Sequence, residues 1–262
     1  MTRGIEALSS GMQTAIDLND VLANNVANAS SNGFKKSNAV IKRFDDVMVD
    51  KLNNMNYKNY YDGDNKFVGQ ISSKVETQQL FVDFTQGSLV QTSNPLDAAI
   101  NGDGFFTVQN ANNQVAYTRN GSFLLAQDGT LKDAKGNAVI GDMDKPIKIP
   151  KEQAKNISIS RDGTIMSGLE KVNRLKIVDF QDRTKLTQQA DALFINEGNS
   201  KTVVPKNLDV NQGMLESSNS SIVQEMVNSI SGMRAYETMA SMMKMTDQTL
   251  QKNINDVGRL AR

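Results

Sequence analysis

The chain has 262 residues, enough for one large or two modest domains, and its 29 Lys+Arg balance 29 Asp+Glu. A net charge of zero gives no pull toward nucleic acid or an anionic membrane, and leaves little repulsion when many copies stack. Cysteine, histidine and tryptophan are absent; this excludes disulfides, Cys/His metal sites, a cysteine nucleophile and a Ser-His-Asp triad. No apolar run nears 18 residues, so no membrane insertion is predicted. Glu6, Asp17 and Asp20 interrupt the region after Arg3, so no cleaved secretory signal is expected.

Residues 2–29 read as one amphipathic helix. Ile5, Leu8, Met12, Ala15, Asn19, Leu22, Val26 and Ala29 alternate at spacings of three and four, the seam of a coiled-coil-like helix. Ile16, Ala23 and Ala27 widen the stripe beyond what one neighbour needs. Asn19 places a polar group in the seam, where it can fix register. Asn32-Gly33 is expected to cap the helix C-terminus, because Gly accepts the left-handed conformation. Asn24, Asn25, Asn28 and Asn32 read either as a fraying amide-rich end or as amides bonding across a subunit contact.

Val40, Ile41, Phe44, Val47, Met48 and Leu52 suggest a short second helix. Tyr57, Tyr60 and Tyr61 lead into Asp62-Gly63-Asp64-Asn65. That run has the residue types of a calcium loop but lacks further ligands and a distal Glu, so a solvated turn is expected. From about residue 87 the period becomes that of strands. Phe105–Gln109 and Ala116–Arg119 flank the polar stretch 110–114. Asp128-Gly129, Lys135-Gly136-Asn137 and Asp162-Gly163 punctuate further short strands, and Leu175–Phe180 is an apolar one. These are hairpin signals, since Gly supplies the positive φ of tight turns. Gly102-Asp103-Gly104 lacks the Gly-Lys-Ser/Thr of a phosphate loop and reads as a turn into a strand.

A last helix is expected from about 219 to 261, with Asn219 or Ser220 as its N-cap. Its stripe is Met226, Ile230, Met233, Tyr236, Ala240, Met243, Leu250, Ile254, Val257 and Ala261. The step Ile230–Met233–Tyr236 runs three then three, a slip in the heptad. About 41 residues at 1.5 Å each make a rod of roughly 60 Å, longer than one β-domain can cover. Met226, Met233, Met239, Met242, Met243 and Met245 are dense, and unbranched Met suits a core shared among slightly different neighbours. Without His or Cys beside them, a copper site has no support.

The expected fold class is therefore α+β. Long N- and C-terminal helices pair as a coiled-coil-like domain (1–34 with 215–262), a connecting region spans 35–86, and an irregular antiparallel β-domain spans 87–214. No cofactor, metal or catalytic residue is predicted. An enzyme with a coiled-coil oligomerisation handle is the remote alternative, with Asp97 and Asp103 as its acid/base pair.

Three blocks of sequence resemble the flagellar basal-body rod and hook protein family. The first joins Ser10-Gly11-Met12 to Asn24-Asn25-Val26-Ala27-Asn28 and Asn32-Gly33-Phe34-Lys35. The second holds Gly87-Ser88-Leu89, Asn94-Pro95-Leu96-Asp97-Ala98-Ala99-Ile100, Gly102-Asp103-Gly104-Phe105-Phe106 and Tyr117-Thr118-Arg119-Asn120-Gly121-Ser122-Phe123. The third holds Gly213-Met214-Leu215-Glu216-Ser217-Ser218-Asn219, Glu225-Met226-Val227, Arg234-Ala235-Tyr236-Glu237 and then Asp247, Leu250 and Gln251. The resemblance covers nearly the whole chain. It implies subunits exported by the flagellar type III apparatus without a cleaved signal. They would polymerise outside the cytoplasmic membrane into a helical rod that encloses the export channel, carries torque from motor to hook, and joins other rod and hook subunits. In that scheme the terminal helices line the inner tube and the β-domain forms the outer layer. The short length and the middle block favour rod over hook. Arg234-Ala235-Tyr236-Glu237 resembles distal members more than proximal ones. Residues 55–75 and Ser220 depart from the distal pattern, which keeps the proximal rod as the alternative.

Overall fold

A computed structural model describes residues 2–43, 75–110, 112–150, 157–168, 170–189, 192–205 and 208–260. The chain is α+β, with two long helices and antiparallel strands between them. It divides into two compact units. One comprises 1–24, 37–81 and 223–262; the other comprises 25–36 and 82–222.

The first unit is built on helices α1 (Thr2–Ala27) and α2 (Ile222–Leu260). They run antiparallel, since Asn19 meets Ser229 and Gly11 meets Met239. The Ser229 hydroxyl donates to Asn19 Oδ1 at 2.6 Å, so the polar residue of the seam finds its partner on the other helix. A Cβ at Gly11 would lie 2.7 Å from Met239 Sδ; the Gly lets the thioether sit on the backbone. Ala15 and Leu22 are buried along α1, and Ile5, Leu8, Met12 and Val26 are half-buried. Two expectations are corrected here. Helix α1 ends at Ala27, and Gly33 is no C-cap: it lies in a turn six residues on, with φ +69. Helix α2 starts at Ile222, past both proposed caps, and Asn219 is engaged elsewhere (below). Glu225 in its first turn carries the sign that the helix dipole favours there.

The short helix expected near 40 is instead a strand, Ser37–Arg43, paired with Val75–Val82. Val40 and Ile41 are β-branched, and adjacent β-branched residues prefer the pleated conformation. Phe44–Leu52, Tyr57–Tyr61 and the run at 62–65 lie outside the described residues.

The second unit holds the core. Strand Phe105–Gln109 is its centre, pairing with Val115–Thr118, Ala138–Val139 and Ile177–Phe180. Neighbouring residues on a strand point to opposite faces, so Phe105 and Phe106 feed different clusters. Phe106 joins Ile100, Val108, Phe123, Leu131, Ile147, Ile149 and Ile165. Phe105 joins Phe84, Phe180, Leu186 and Phe194 on the other side. The strand is covered on both faces, so Phe105, Phe106 and Val108 are all buried, with Thr107 buried among them. The hairpins at 105–118, 123–133 and 157–167 fall where their turns predict them. Two turns are built alike. Asp128 and Asp162 each accept from the backbone N–H and the hydroxyl of the Thr two residues on, at 2.7–3.1 Å, and both intervening Gly have φ +79. Those hydrogen bonds from Thr130 and Thr164 hold both carboxyls below their usual range.

Two glycines separate close packing from open space. A Cβ at Gly121 would fall 1.6 Å from the Ala98 carbonyl oxygen, while one at Gly232 in α2 would meet nothing within 4 Å. Gly121→Ala is therefore expected to destabilise the chain by about 1–3 kcal/mol through overpacking. Gly232→Ala is expected to raise the stability of α2 by about 1 kcal/mol. Urea unfolding of the two variants checks the opposite signs.

Candidate functional site: a buried charge clamp and an open helix face

Four segments meet around one carboxylate in the second unit. Strand Met214–Glu216 pairs with Leu89–Gln91 and ends on Glu216, which is 1% exposed. Glu216 Oε1 accepts from Lys35 Nζ at 2.5 Å and from the Gly87 N–H at 2.9 Å; Oε2 accepts from Arg119 Nη1 at 3.3 Å. Lys35 is fully buried and also donates to the Thr85 carbonyl at 2.7 Å. Arg119, buried too, stacks over the Phe105 ring at 5.2 Å, which gives the cation a second favourable contact. Burial pulls the Lys35 amine below its ordinary value, against the opposing pull of Glu216.

Backbone contacts reinforce the clamp. The Gly33 N–H donates to the Glu216 carbonyl at 2.7 Å, and Ser217 N–H to Ser88 O at 2.9 Å. Asn219 is the second pin: its Oδ1 accepts from Lys36 N–H at 2.8 Å, and its amide donates to Asp83 O at 2.7 Å and to Thr85. Gly33 and Gly87 have no space for a side chain, since a Cβ would come within 2.3 Å of Asn120 N and 1.9 Å of Ser217 O. Three of the four positions where the chain crosses the edge of this unit, 36, 82 and 222, lie within three residues of a clamp or pin residue; the fourth is Asn25.

The remaining motif residues have structural duties. Asp97, which is buried, accepts from Thr92 Oγ1 at 2.7 Å and Asn94 Nδ2 at 2.8 Å. This orders the turn in which Pro95 is exposed and Leu96 packs on the core. Asp103 pairs with Arg183 at 2.7 Å. The two carboxylates proposed as an acid/base pair thus belong to separate networks. Gly104 has φ +125 and lies against Ile177 and Pro205. Phe34, Asn25 and Glu225 are buried, Asn28 is half-buried, and Asn24, Arg234 and Glu237 are exposed. Among the described residues no cluster of acidic side chains could hold a metal, and no helix is long and apolar enough to cross a membrane.

Helix α2 has two apolar faces. Gly232, Tyr236, Met239, Met243 and Leu250 are half-buried, on the side that carries Ser229 and Met239 to α1. Val223, Met226, Val227, Ile230 and Met233 lie on another side and are 51–74% exposed. The slip at Ile230–Met233–Tyr236 marks the passage from one face to the other. Ile254 is also exposed, and the Val257 side chain lies outside the described residues.

Two stretches match known families. Residues 99–167 match the flagellar hook protein FlgE/F/G D1 domain, and residues 211–257 the flagellar basal body rod FlgEFG protein C-terminal region. The flagellar basal-body rod protein FlgG of Buchnera aphidicola subsp. Schizaphis graminum is 32% identical over 89% of this chain and 91% of its own. The chain belongs to the flagellar basal-body rod protein family. Caulobacter vibrioides supplies two further relatives. Its rod protein FlgF is 31% identical over 92% of each chain, and its rod protein FlgG is 28% identical over 95% of this chain and 97% of its own. Rod proteins of this family are structural, not enzymes. Arg119 falls in the first matched region and Glu216 in the second, so the clamp joins the two matched segments to Lys35.

Lys35, Arg119 and Glu216 stand inside the motif runs, and nothing in their local sequence assigns them a role. Within the cluster, Glu216 is one anion against two cations. Glu216→Gln leaves two buried cations unpaired and is expected to cost about 3–5 kcal/mol; Lys35→Met leaves Glu216 with Arg119 and the Gly87 N–H and is expected to cost less. The pH dependence has a definite sign. With the folded-state value of Lys35 lowered, the unfolded chain holds the extra proton between that value and the ordinary 10.5. Stability of the wild type relative to Lys35→Met is therefore expected to rise as pH climbs through that window. Denaturant unfolding of both chains from pH 7 to 10 measures it.

Proposed function

We propose that the chain is a structural subunit of the distal flagellar rod, a helical polymer of itself that encloses the export channel and transmits torque from motor to hook. The observation that carries this reading is the open apolar face of α2. Five large apolar side chains within three turns are 51–74% exposed, and a second copy would cover them. The chain's balanced charge allows such stacking. Heterologous contacts repeated by a helical operator give an open filament. In this scheme residues 1–34 and 215–262 form the polymerisation core as a coiled-coil-like pair, 35–86 completes its contacts on assembly, and 87–214 faces outward. Met12, Leu22, Val26, Met226, Ile230, Met233, Leu250, Ile254 and Val257 pack between helices of one or adjacent subunits. The subunit passes through the flagellar type III apparatus without a cleaved signal and meets other rod and hook subunits at its ends.

The proximal rod is the second reading. It is favoured by the Caulobacter pair, where the FlgF relative shows the higher identity of the two. Arg234-Ala235-Tyr236-Glu237 and the Buchnera FlgG similarity favour the distal rod. Basal bodies isolated from cells lacking the gene discriminate. A rod that keeps its proximal segment and lacks the distal one fits the proposal; a rod lacking both reassigns the chain to the proximal position.

The α2 face has its own test. Ile230→Asp puts a charge where assembly would bury it, at a cost of several kcal/mol per contact. Self-association is expected to fall by more than 100-fold while circular dichroism of the β-unit is unchanged. Association and motility at wild-type levels in that variant would remove α2 from the polymer contact.

A further inference from the structure

We infer that Met226 and Met233 are oxidation sites, and that their conversion to sulfoxides holds a subunit out of the assembly. This rests on the proposed self-association through α2. The two residues are seven apart, so they stand about 20° from eclipsed on the helix. They lie within the open stripe of Val223, Val227 and Ile230, with Met226 51% and Met233 55% exposed. Met239 differs: its sulfur is seated against Gly11 of α1. A chain without cysteine, histidine or tryptophan offers a two-electron oxidant no softer target than a thioether.

The chemistry balances with a peroxide as the oxidant. A sulfur lone pair attacks one peroxide oxygen, the S–O bond forms as the O–O bond breaks, and water leaves. Sulfur is oxidised by two electrons and the peroxide is reduced by two. The product is polar, chiral and a strong acceptor. On an exposed helix water satisfies the new oxygen. Between two packed apolar faces it has no donor, so the contact that accepted the thioether rejects the sulfoxide. Once copies have stacked, the same sulfurs are covered and the oxidant cannot reach them. The switch therefore acts only on free subunits, and thiol-dependent reduction of the sulfoxide resets it.

The test uses the full chain in dilute hydrogen peroxide, with oxidation at each Met followed by peptide mass spectrometry and association followed by sedimentation. Met226 and Met233 are expected to convert several-fold faster than Met239, and association to fall at least tenfold in step with them. The double variant Met242→Leu/Met245→Leu, which removes two exposed thioethers outside the stripe, is expected to lose association at the same dose as the wild type does. Reduction of the oxidised wild type by a methionine sulfoxide reductase reads the same point, and association must return. Met239 oxidising as fast, an oxidised wild type that still associates, or a reduced one that does not would each overturn the inference alone. An untreated wild type that never associates would overturn the proposed polymer contact, and the inference with it.

Discussion

One buried carboxylate holds the β-unit's exits together. Glu216 alone would be costly in an apolar site, and so would Lys35 or Arg119. Together they compensate, with the Gly87 N–H and the Thr85 carbonyl adding one hydrogen bond each, while the buried Arg119 Nε has no hydrogen-bond partner. The result is directional in a way that apolar packing is not: each partner must come from a particular segment, 33–36, 85–87, 119–120 or 214–219. A charge displaced from a buried three-charge cluster finds no water to replace its partners. The close approaches at Gly33 and Gly87 follow from the same constraint, since side chains there would hold the segments apart.

The clamp also explains an uneven division of stability within the chain. The β-unit has a complete core, with Phe105 and Phe106 feeding two clusters from one strand. Among the described residues the two helices touch through Asn19–Ser229 and Gly11–Met239. Packing of a helix's apolar face supplies most of its stability in a protein, and α2 has a second face left open. Methionine is suited to both of its faces, because an unbranched thioether adapts to a backbone such as Gly11 and to a neighbour of variable geometry.

The legible parts of this fold were those with local causes. Asp-Gly turns have a required backbone conformation, so the hairpins at 128–129 and 162–163 could be placed from residue type alone. Long periodic helices could be placed for the same reason. The errors had non-local causes. Gly33 looked like a helix cap because it follows a helix, but its φ answers to the Glu216 carbonyl and the Asn120 backbone. Asn219 looked like an N-cap because it precedes one, but its amide is spent on Lys36, Asp83 and Thr85. Val40-Ile41 fitted a helical spacing until a partner strand more than thirty residues away took it. The clamp was invisible for a related reason: a Lys, an Arg and a Glu spread over 181 residues show no spacing that a linear pattern can register. The two faces of α2 were half-legible. The heptad slip at Tyr236 is legible in the sequence, but only the fold shows that it separates a face turned to α1 from one that is 51–74% exposed.

In the proposed rod these features acquire a mechanical meaning. Load entering through the stacked helices reaches the β-unit by way of the covalent segments that lead into it. Segments held only by apolar contact would creep under sustained torque, since such contacts are non-directional and re-form after slipping. Segments tied to one buried carboxylate and one amide have a single low-energy arrangement, and leaving it exposes a charge to a medium that cannot solvate it. Setting Lys35, Arg119 and Glu216 within the β-unit, and leaving one face of α2 apolar and open, keeps directional contacts inside the subunit and leaves adhesion to its neighbours.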